Sequence, residues 1–396
     1  MGQAFAGIPF TKKPSLRETA VLFLRLGTTA FGGPAAHIAL MEDEVVTRRR
    51  WLTREQFLDY VGATNLIPGP NSTELAIHIG LTRHGVAGLI VAGVCFILPA
   101  AVIVTVVAWA YARFGMLPAA VAIFSGVTPP VVAVIAQALW KLGRSAVKSP
   151  TLAAITLFSI VALVAGTNEL LVLIVAGLVG GLLTTRAIAR AWLVVLAASF
   201  VRSTIAAAVV AGGIAATATV PFSQWTLFAT FAKIGSVLFG SGYVLVAFLR
   251  ADFVAHLGWI TERQLLDAIA IGQVTPGPVF TTATFVGYLV GGVGGAIVAT
   301  LGIFLPAFVF VGLSGPLVPR IRASRFASGV LDGVNVASLA LMAVVTWHLG
   351  RRTITNPTMV LMAAGALVAL VRYKMNATWV VVAGALIGLV TSLLSA

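Results

Sequence analysis

Apolar stretches of about 20 residues follow one another along almost the whole chain, separated by short polar gaps. About 20 helical residues cross the hydrocarbon core of a bilayer, and only helices or closed barrels satisfy the backbone there. The pattern therefore predicts an all-α polytopic membrane protein. One stretch departs from it: Leu66-Ile67-Pro68-Gly69-Pro70-Asn71-Ser72-Thr73-Glu74 sits inside an apolar segment. Proline removes a backbone donor and clashes with the preceding turn, and glycine leaves a helix cheaply. The helix is expected to stop at Pro68, and Asn71, Ser72 and Thr73 are residue types that cap a new helix start. The break returns 208 positions later as Val274-Thr275-Pro276-Gly277-Pro278, followed by Thr281 and Thr282.

The second break belongs to a longer register. Residues 25–34 read RLGTTAFGGP and residues 233–242 read KIGSVLFGSG. At the same offset Glu44 falls on Asp252, Trp51 on Trp259, Thr53 on Thr261, Gln56 on Gln264, Asp59 on Asp267 and Asn65 on Gln273. After a one-residue slip, Pro99 matches Pro306, Gly126 matches Gly333 and Trp140 matches Trp347. Two structural repeats are expected, 15–188 and 222–394, joined by a connector helix within 189–221. Each holds six apolar elements, in the first repeat near 16–46, 54–82, 85–112, 117–140, 150–166 and 169–186. The first two are broken, by Phe31-Gly32-Gly33-Pro34 and by Pro68-Gly69-Pro70. They read either as spanning helices with unwound centres or as re-entrant hairpins.

Charge favours hairpins. With the N-terminus inside and both broken elements re-entrant, 18 Lys and Arg lie inside and 5 outside, as the positive-inside rule asks. Spanning elements would move Arg48, Arg49, Arg50 and Arg54 outside. Either way, an even number of crossings plus one connector inverts the second repeat, a recurring plan of secondary transporters. Composition agrees: 59% of residues are hydrophobic, 10% charged, and the net charge is +14. The mean hydropathy is +1.03. A soluble domain carries about 25% charged residues. The basic excess follows membrane sidedness and is not a nucleic-acid footprint. No secretory leader is read in the first fifteen residues, which lack a continuous apolar core. Cys95 is the single cysteine, which excludes an internal disulfide. No phosphate-binding loop and no Cys/His cluster is present, so neither an enzyme, a cofactor nor a metal is expected.

The candidate chemistry lies at the breaks. A half-helix start offers N–H groups and about half a positive charge, which binds oxyanions. Each repeat supplies two such starts, after Gly33 or Ser241 and after Pro70 or Pro278. The expected substrate-contacting set is Arg25, Gly32, Gly33, Asn65, Pro68, Gly69, Pro70, Asn71, Ser72 and Thr73 in the first repeat. In the second it is Lys233, Gly240, Ser241, Gln273, Pro276, Gly277, Pro278, Thr281 and Thr282. Arg25 and Lys233 are matched cations inside apolar segments, where a charge faces a partner or a pathway; snorkelling to headgroups is the alternative. Glu74 is suited to a coupling proton, with His37 and His78 flanking the same breaks. Its match is Thr282, and Leu245 and Val286 stand where the histidines would be. Asp59, Asp267, Glu44 and Asp252 lie near element ends and read as interfacial or paired with arginines.

These residues resemble the chromate transporter family in its long, two-repeat form. The resemblance rests on Phe31-Gly32-Gly33-Pro34 with His37, on Glu42-Asp43-Glu44 and Trp51-Leu52-Thr53, and on Pro68-Gly69-Pro70-Asn71-Ser72-Thr73. Weaker echoes are Phe239-Gly240-Ser241-Gly242 and Pro276-Gly277-Pro278. It implies a multi-pass inner-membrane carrier that exports chromate and handles sulfate as a look-alike. The residues alone reach a carrier of a small inorganic oxyanion in a lipid bilayer. A carrier for another anion and an anion channel are the rival readings, and monomer and homodimer both stay open.

Overall fold

The computed structural model describes residues 15–31, 33–184, 221–239, 242 and 244–395, with backbone alone for 315–323, 352–353 and 394–395. Among them the protein is all-helical, with fourteen α-helices. The expected connector at 189–221 lies outside the described residues, apart from Pro221. The first repeat runs α1 Leu16–Thr29, α2 Gly33–Glu42 with a π-helical turn Asp43–Arg48, α3 Arg54–Thr64, α4 Asn71–Phe114, α5 Pro118–Ala146, α6 Pro150–Val164 and α7 Glu169–Leu183. The second runs α8 Gln224–Val237, α9 Leu245–Leu249 with a π-helical turn Arg250–His256, α10 Glu262–Val274, a 3-10 turn Val279–Thr281, α11 Thr282–Ala323, α12 Arg325–Thr353, α13 Pro357–Val371 and α14 Ala377–Ser395.

The same devices start and stop matched helices. Thr53 caps α3 and Thr261 caps α10, each in a capping box with the glutamine three residues on. That arrangement satisfies two orphan donors at once. α6 and α13 both begin on a proline behind a capping side chain, Ser149 and Asn356.

α4 and α11 each consist of two helical arms joined at a sharp reversal. His84 and Gly85 leave helical geometry, with Gly85 at φ 59°, and Gly291 and Gly292 do the same, with Gly292 at φ 61°. Positive φ costs glycine nothing. Beyond the turn Gly80 lies against Gly88 and Ala92, and Gly287 against Gly295 and Ala299. Residues eight apart on one straight helix would be about 12 Å apart, so 71–83 and 86–114 are antiparallel arms. The 13-residue first arm is about 20 Å long, short of the roughly 30 Å hydrocarbon core. The second crosses it with room to spare. Val86, Ile90, Val94, Leu98, Val102 and Val106 form an exposed apolar stripe along it, and Val293, Ile297, Leu301, Leu305 and Val309 repeat that stripe on α11. Such stripes suit a lipid-facing surface.

The broken elements also fold back. Arg25 of α1 forms an ion pair with Glu44 beyond the first break, and Lys233 of α8 pairs with Asp252 at the matched place. Across the second break Tyr60 stacks on His78 with ring centres 5.7 Å apart, and the Thr82 hydroxyl donates to the Tyr60 oxygen at 3.0 Å. A straight helix would hold these partners about 27–33 Å apart, roughly the whole hydrocarbon core.

The repeats then exchange their last helices. α7 packs on α12 and α14 packs on α5. Glycines bring the backbones together: Gly180 sits on Gly329 and Gly333, and Gly388 on Ala122 and Gly126. In lipid, where apolar burial between helices gains little, close approach of small residues drives association. α1 lies on α4 through Gly27 at the Phe96 carbonyl, and α8 on α11 through Gly235 at Ile303. α4 meets α11 at the centre, which sets the breaks of the two repeats face to face.

Candidate functional site

Two reciprocal hydrogen bonds tie the breaks together. Gly69 N–H donates to the Leu238 carbonyl at 2.8 Å, and Gly277 N–H donates to the Ala30 carbonyl at 2.9 Å. Leu238 and Ala30 end α8 and α1. Each Pro-Gly-Pro thus satisfies the broken helix end of the other repeat. Both glycines take backbone geometry closed to other residues, φ 140° at Gly69 and 87° at Gly277. A Cβ on Gly69 would strike the Glu74 carboxylate, and one on Gly277 would strike Ala100.

A small cleft opens where the four breaks meet. Pro34, Pro70, Ser72, Gly242, Pro278 and Phe280 line it, together with Asn71 and Val279. It has room for about one water molecule. Pro70 O already accepts the N–H groups of Thr73 and Glu74, and Pro278 O that of Thr281. The residues before them open the two half-helices, and those residues line the cleft. Helix starts of this kind present N–H groups outside the helical ladder and the positive end of the dipole.

The side chains predicted for the site divide into three groups. Ser72, Thr73 and Glu74 are buried on the first arm of α4. The Ser72 hydroxyl meets His37 Nδ1 at 3.3 Å, and His37 Nε2 meets the Ala30 carbonyl at 3.1 Å. A carbonyl only accepts, so Nε2 carries the proton and a neutral ring accepts Ser72 O–H at Nδ1. The Thr73 hydroxyl, both Glu74 oxygens and His78 Nε2 are buried without a hydrogen-bond partner among the described residues. Unpaired polar atoms in such a place are costly. Glu74 and His78 stand one turn apart on one face.

The second group is engaged elsewhere. Thr281 and Thr282 donate to the carbonyls of Pro278 and Val279, each at 2.8 Å. Asn65 donates to Val61 O at 3.0 Å and accepts from Asn71 at 2.7 Å. Gln273 is buried, and its carbonyl accepts from Thr378 at 3.1 Å. Arg25 and Lys233 are held by Glu44 and Asp252. Arg49 also reaches Glu44, at 3.2 Å. Burial works against the Glu44 charge, but the Arg49 and Arg25 donors outweigh it and hold the carboxyl below its usual range. Gly33 opens α2 at φ 78°. Pro68 and Pro276 begin the two tight turns. The third group, Gly32, Gly240 and Ser241, lies outside the described residues.

One carboxylate departs from its sequence reading. Asp267 forms no ion pair among the described residues, although Arg263 lies near enough to act on its charge; it is buried and accepts from the Tyr111 hydroxyl at 2.7 Å. Tyr111 and Tyr60 carried no signal in the sequence, since each partner lies on another element. Among the described residues no group of three or more His, Cys, Asp or Glu could hold a metal ion.

The sequence profile described as Chromate transporter matches residues 17–182 and again 225–389, one match for each repeat. The chain belongs to the chromate transporter family. Several relatives match over most of the chain. The "Chromate transport protein" of Cupriavidus metallidurans is 34% identical over 95% of this chain and 93% of its own. That of Pseudomonas aeruginosa is 32% identical over 92% of this chain and 90% of its own. A "Probable chromate transport protein" of Synechococcus elongatus is 30% identical over 86% of each chain. No solved structure matches the chain. As a chromate transporter family member the chain is a multi-pass membrane transporter and not an enzyme.

Proposed function

We propose that the protein exports chromate by alternating access, taking the oxyanion where the four breaks meet. The observation that carries this reading is the reciprocal pair of bonds, Gly69 to Leu238 and Gly277 to Ala30. They hold two half-helix starts on opposite walls of one cleft, and such starts bind oxyanions. The N–H groups of Asn71 and Ser72 would face the anion from one wall and those of Val279 and Phe280 from the other, with the Ser72 hydroxyl turning from His37 to join them and Thr73 one residue behind. Arg25 and Lys233 contribute field from their ion pairs. The relatives named for chromate transport support the substrate. Glu74 would carry the coupling proton: a buried carboxyl beside an anion site is tolerated when protonated. His37 meets Ser72, two residues before it, and His78 stands one turn after it on the same helix.

The membrane arrangement follows the same reading. The fold-backs at Arg25–Glu44 and Tyr60–His78 support re-entrant hairpins that leave by the face they enter. With the connector crossing once, the second repeat is inverted, the basic loops lie in the cytoplasm, and the chain sits in the inner membrane. A pseudo-symmetric monomer already holds a complete site, and a homodimer is compatible with it. A cleft with room for about one water suits a carrier better than an open channel.

The test is binding of chromate and of sulfate to purified protein, each with and without Pro68-Gly69-Pro70 replaced by alanines. Chromate-selective binding that vanishes in the variant is the expected result. Sulfate binding alone would keep the site and change the substrate. Binding of neither would end the oxyanion reading.

A further inference from the structure

The two repeats share sequence and chain path, yet their second hairpins sit in different surroundings. Leu58 on α3 is 54% exposed, and its match Leu266 on α10 is 3% exposed. Asp59 is exposed where Asp267 is buried, and Asn65 is exposed where Gln273 is buried. α10 packs on α5 and α14, whereas the main neighbours of α3 among the described residues are α2 and α4. Two bonds fasten α10: Tyr111 of α4 donates to Asp267, and Thr378 of α14 donates to the Gln273 carbonyl.

We propose that the α3 and α10 hairpins are a pair of gates caught in opposite positions. The α10 gate is docked and seals the cleft from the second-repeat side; the α3 gate is undocked and leaves the first-repeat side as the route for the anion. This rests on the alternating-access reading above. Matched segments in inverted repeats exchange conformations when a central site turns from one face to the other. In the opposite state α3 docks on α12 and α7, the matches of α5 and α14, and α10 releases Tyr111. The first-repeat side is the more basic one, hence cytoplasmic, so the structure is that of an exporter facing its supply. A cleft with room for about one water must widen to admit a tetrahedral anion, and the undocked hairpin is the element free to allow it.

The match also names the contact that closes the other gate. Gly180 sits on Gly329 and Gly333 as Gly388 sits on Ala122 and Gly126, an offset of 208 that places Leu170 where Thr378 stands. Asn65 and Leu170 should therefore approach when Gln273 and Thr378 part.

The experiment uses the full chain carrying Cys95→Ser in proteoliposomes. One variant adds Gln273→Cys with Thr378→Cys, and another adds Asn65→Cys with Leu170→Cys; both are oxidised and scored for cross-link. Leu58→Cys and Leu266→Cys, singly and in each trapped background, are labelled with a charged, membrane-impermeant thiol reagent. Both pairs are expected to cross-link. With 273–378 trapped, the cysteine at 58 should react at least about tenfold faster than that at 266, and trapping 65–170 should invert the ratio. Failure of the 65–170 pair to form while 273–378 forms would overturn the proposal. So would equal labelling at 58 and 266 in the untrapped protein, an outcome that needs no double variant to fold. A lipid-facing Leu58 gives no reaction with a charged reagent, which overturns it equally. None of these readouts uses chromate, so a wrong substrate would leave them intact.

Discussion

At the scale of single residues the site depends on two glycines and one acid. Gly69 has φ 140° and no space for a Cβ beside Glu74. Gly69→Ala is expected to lower stability by about 1–3 kcal/mol from backbone geometry alone, read as a lower unfolding temperature in detergent. Gly277→Ala should behave alike, because Ala100 and the Gly27 carbonyl crowd the same place in the other repeat. Glu74→Gln keeps the volume and removes the charge. If Glu74 carries the coupling proton, the variant should retain chromate-for-chromate exchange in vesicles and lose accumulation driven by a pH gradient. Retention of both would end the coupling role. The breaks were legible in the sequence because proline and glycine have few other uses inside an apolar segment. The engagement of Arg25 and Lys233 was less so. A cation in such a segment signals a partner but not which one, and the acid lies 19 residues on, beyond a reversal. The matched spacing of Glu44 and Asp252 was the available clue.

Elements are held by two kinds of contact, and each has its own test. The ion pairs Arg25–Glu44 and Lys233–Asp252 clasp the first hairpin of each repeat. Arg25 is half exposed, so Glu44→Ala should cost only about 1 kcal/mol. A double-mutant cycle with Arg25→Ala is expected to return only part of it as coupling, because Arg48 and Arg49 also reach Glu44. The glycine contacts are steeper. A Cβ on Gly333 would strike the Ala176 carbonyl, whereas one on Gly365 of α13 meets nothing within 4 Å. Gly333→Ala should destabilise by roughly 1–3 kcal/mol through overpacking. Gly365→Ala should stabilise by up to about 1 kcal/mol through helix propensity. Matching effects at the two glycines, measured by thermal unfolding, would show that close backbone approach does not hold α7 on α12. The reversal within α4 was legible at this scale: the apolar pattern closes one element at 82 and opens the next at 85, and His84 and Gly85 leave helical geometry there. The periodic small residues at Gly80, Gly88 and Ala92 are intelligible only once that reversal is known.

The molecule as a whole is two repeats that complete each other. Repetition was legible because Trp, Gly and Pro recur at one offset over most of the chain, and side chains of those kinds tolerate little substitution in close-packed helices. What no offset could reveal is that the repeats interlock. α7 finds its main partner, α12, in the second half, and α14 finds α5 in the first. Each Pro-Gly-Pro bonds a broken helix end across the same divide. Either half alone would leave glycine-lined helix faces and lose both backbone bonds between the breaks, and an unmade backbone bond away from water costs several kcal/mol. A chain cut within 189–221 is therefore expected to yield two fragments that are degraded when made separately and accumulate when made together. The joint product should migrate as one complex in mild detergent. Gly333→Leu in the second fragment should abolish that assembly, and Gly365→Leu, facing open space, should not. Stable accumulation of either fragment alone would mean that each repeat closes its own core, against the interlocked packing from which the common cleft arises.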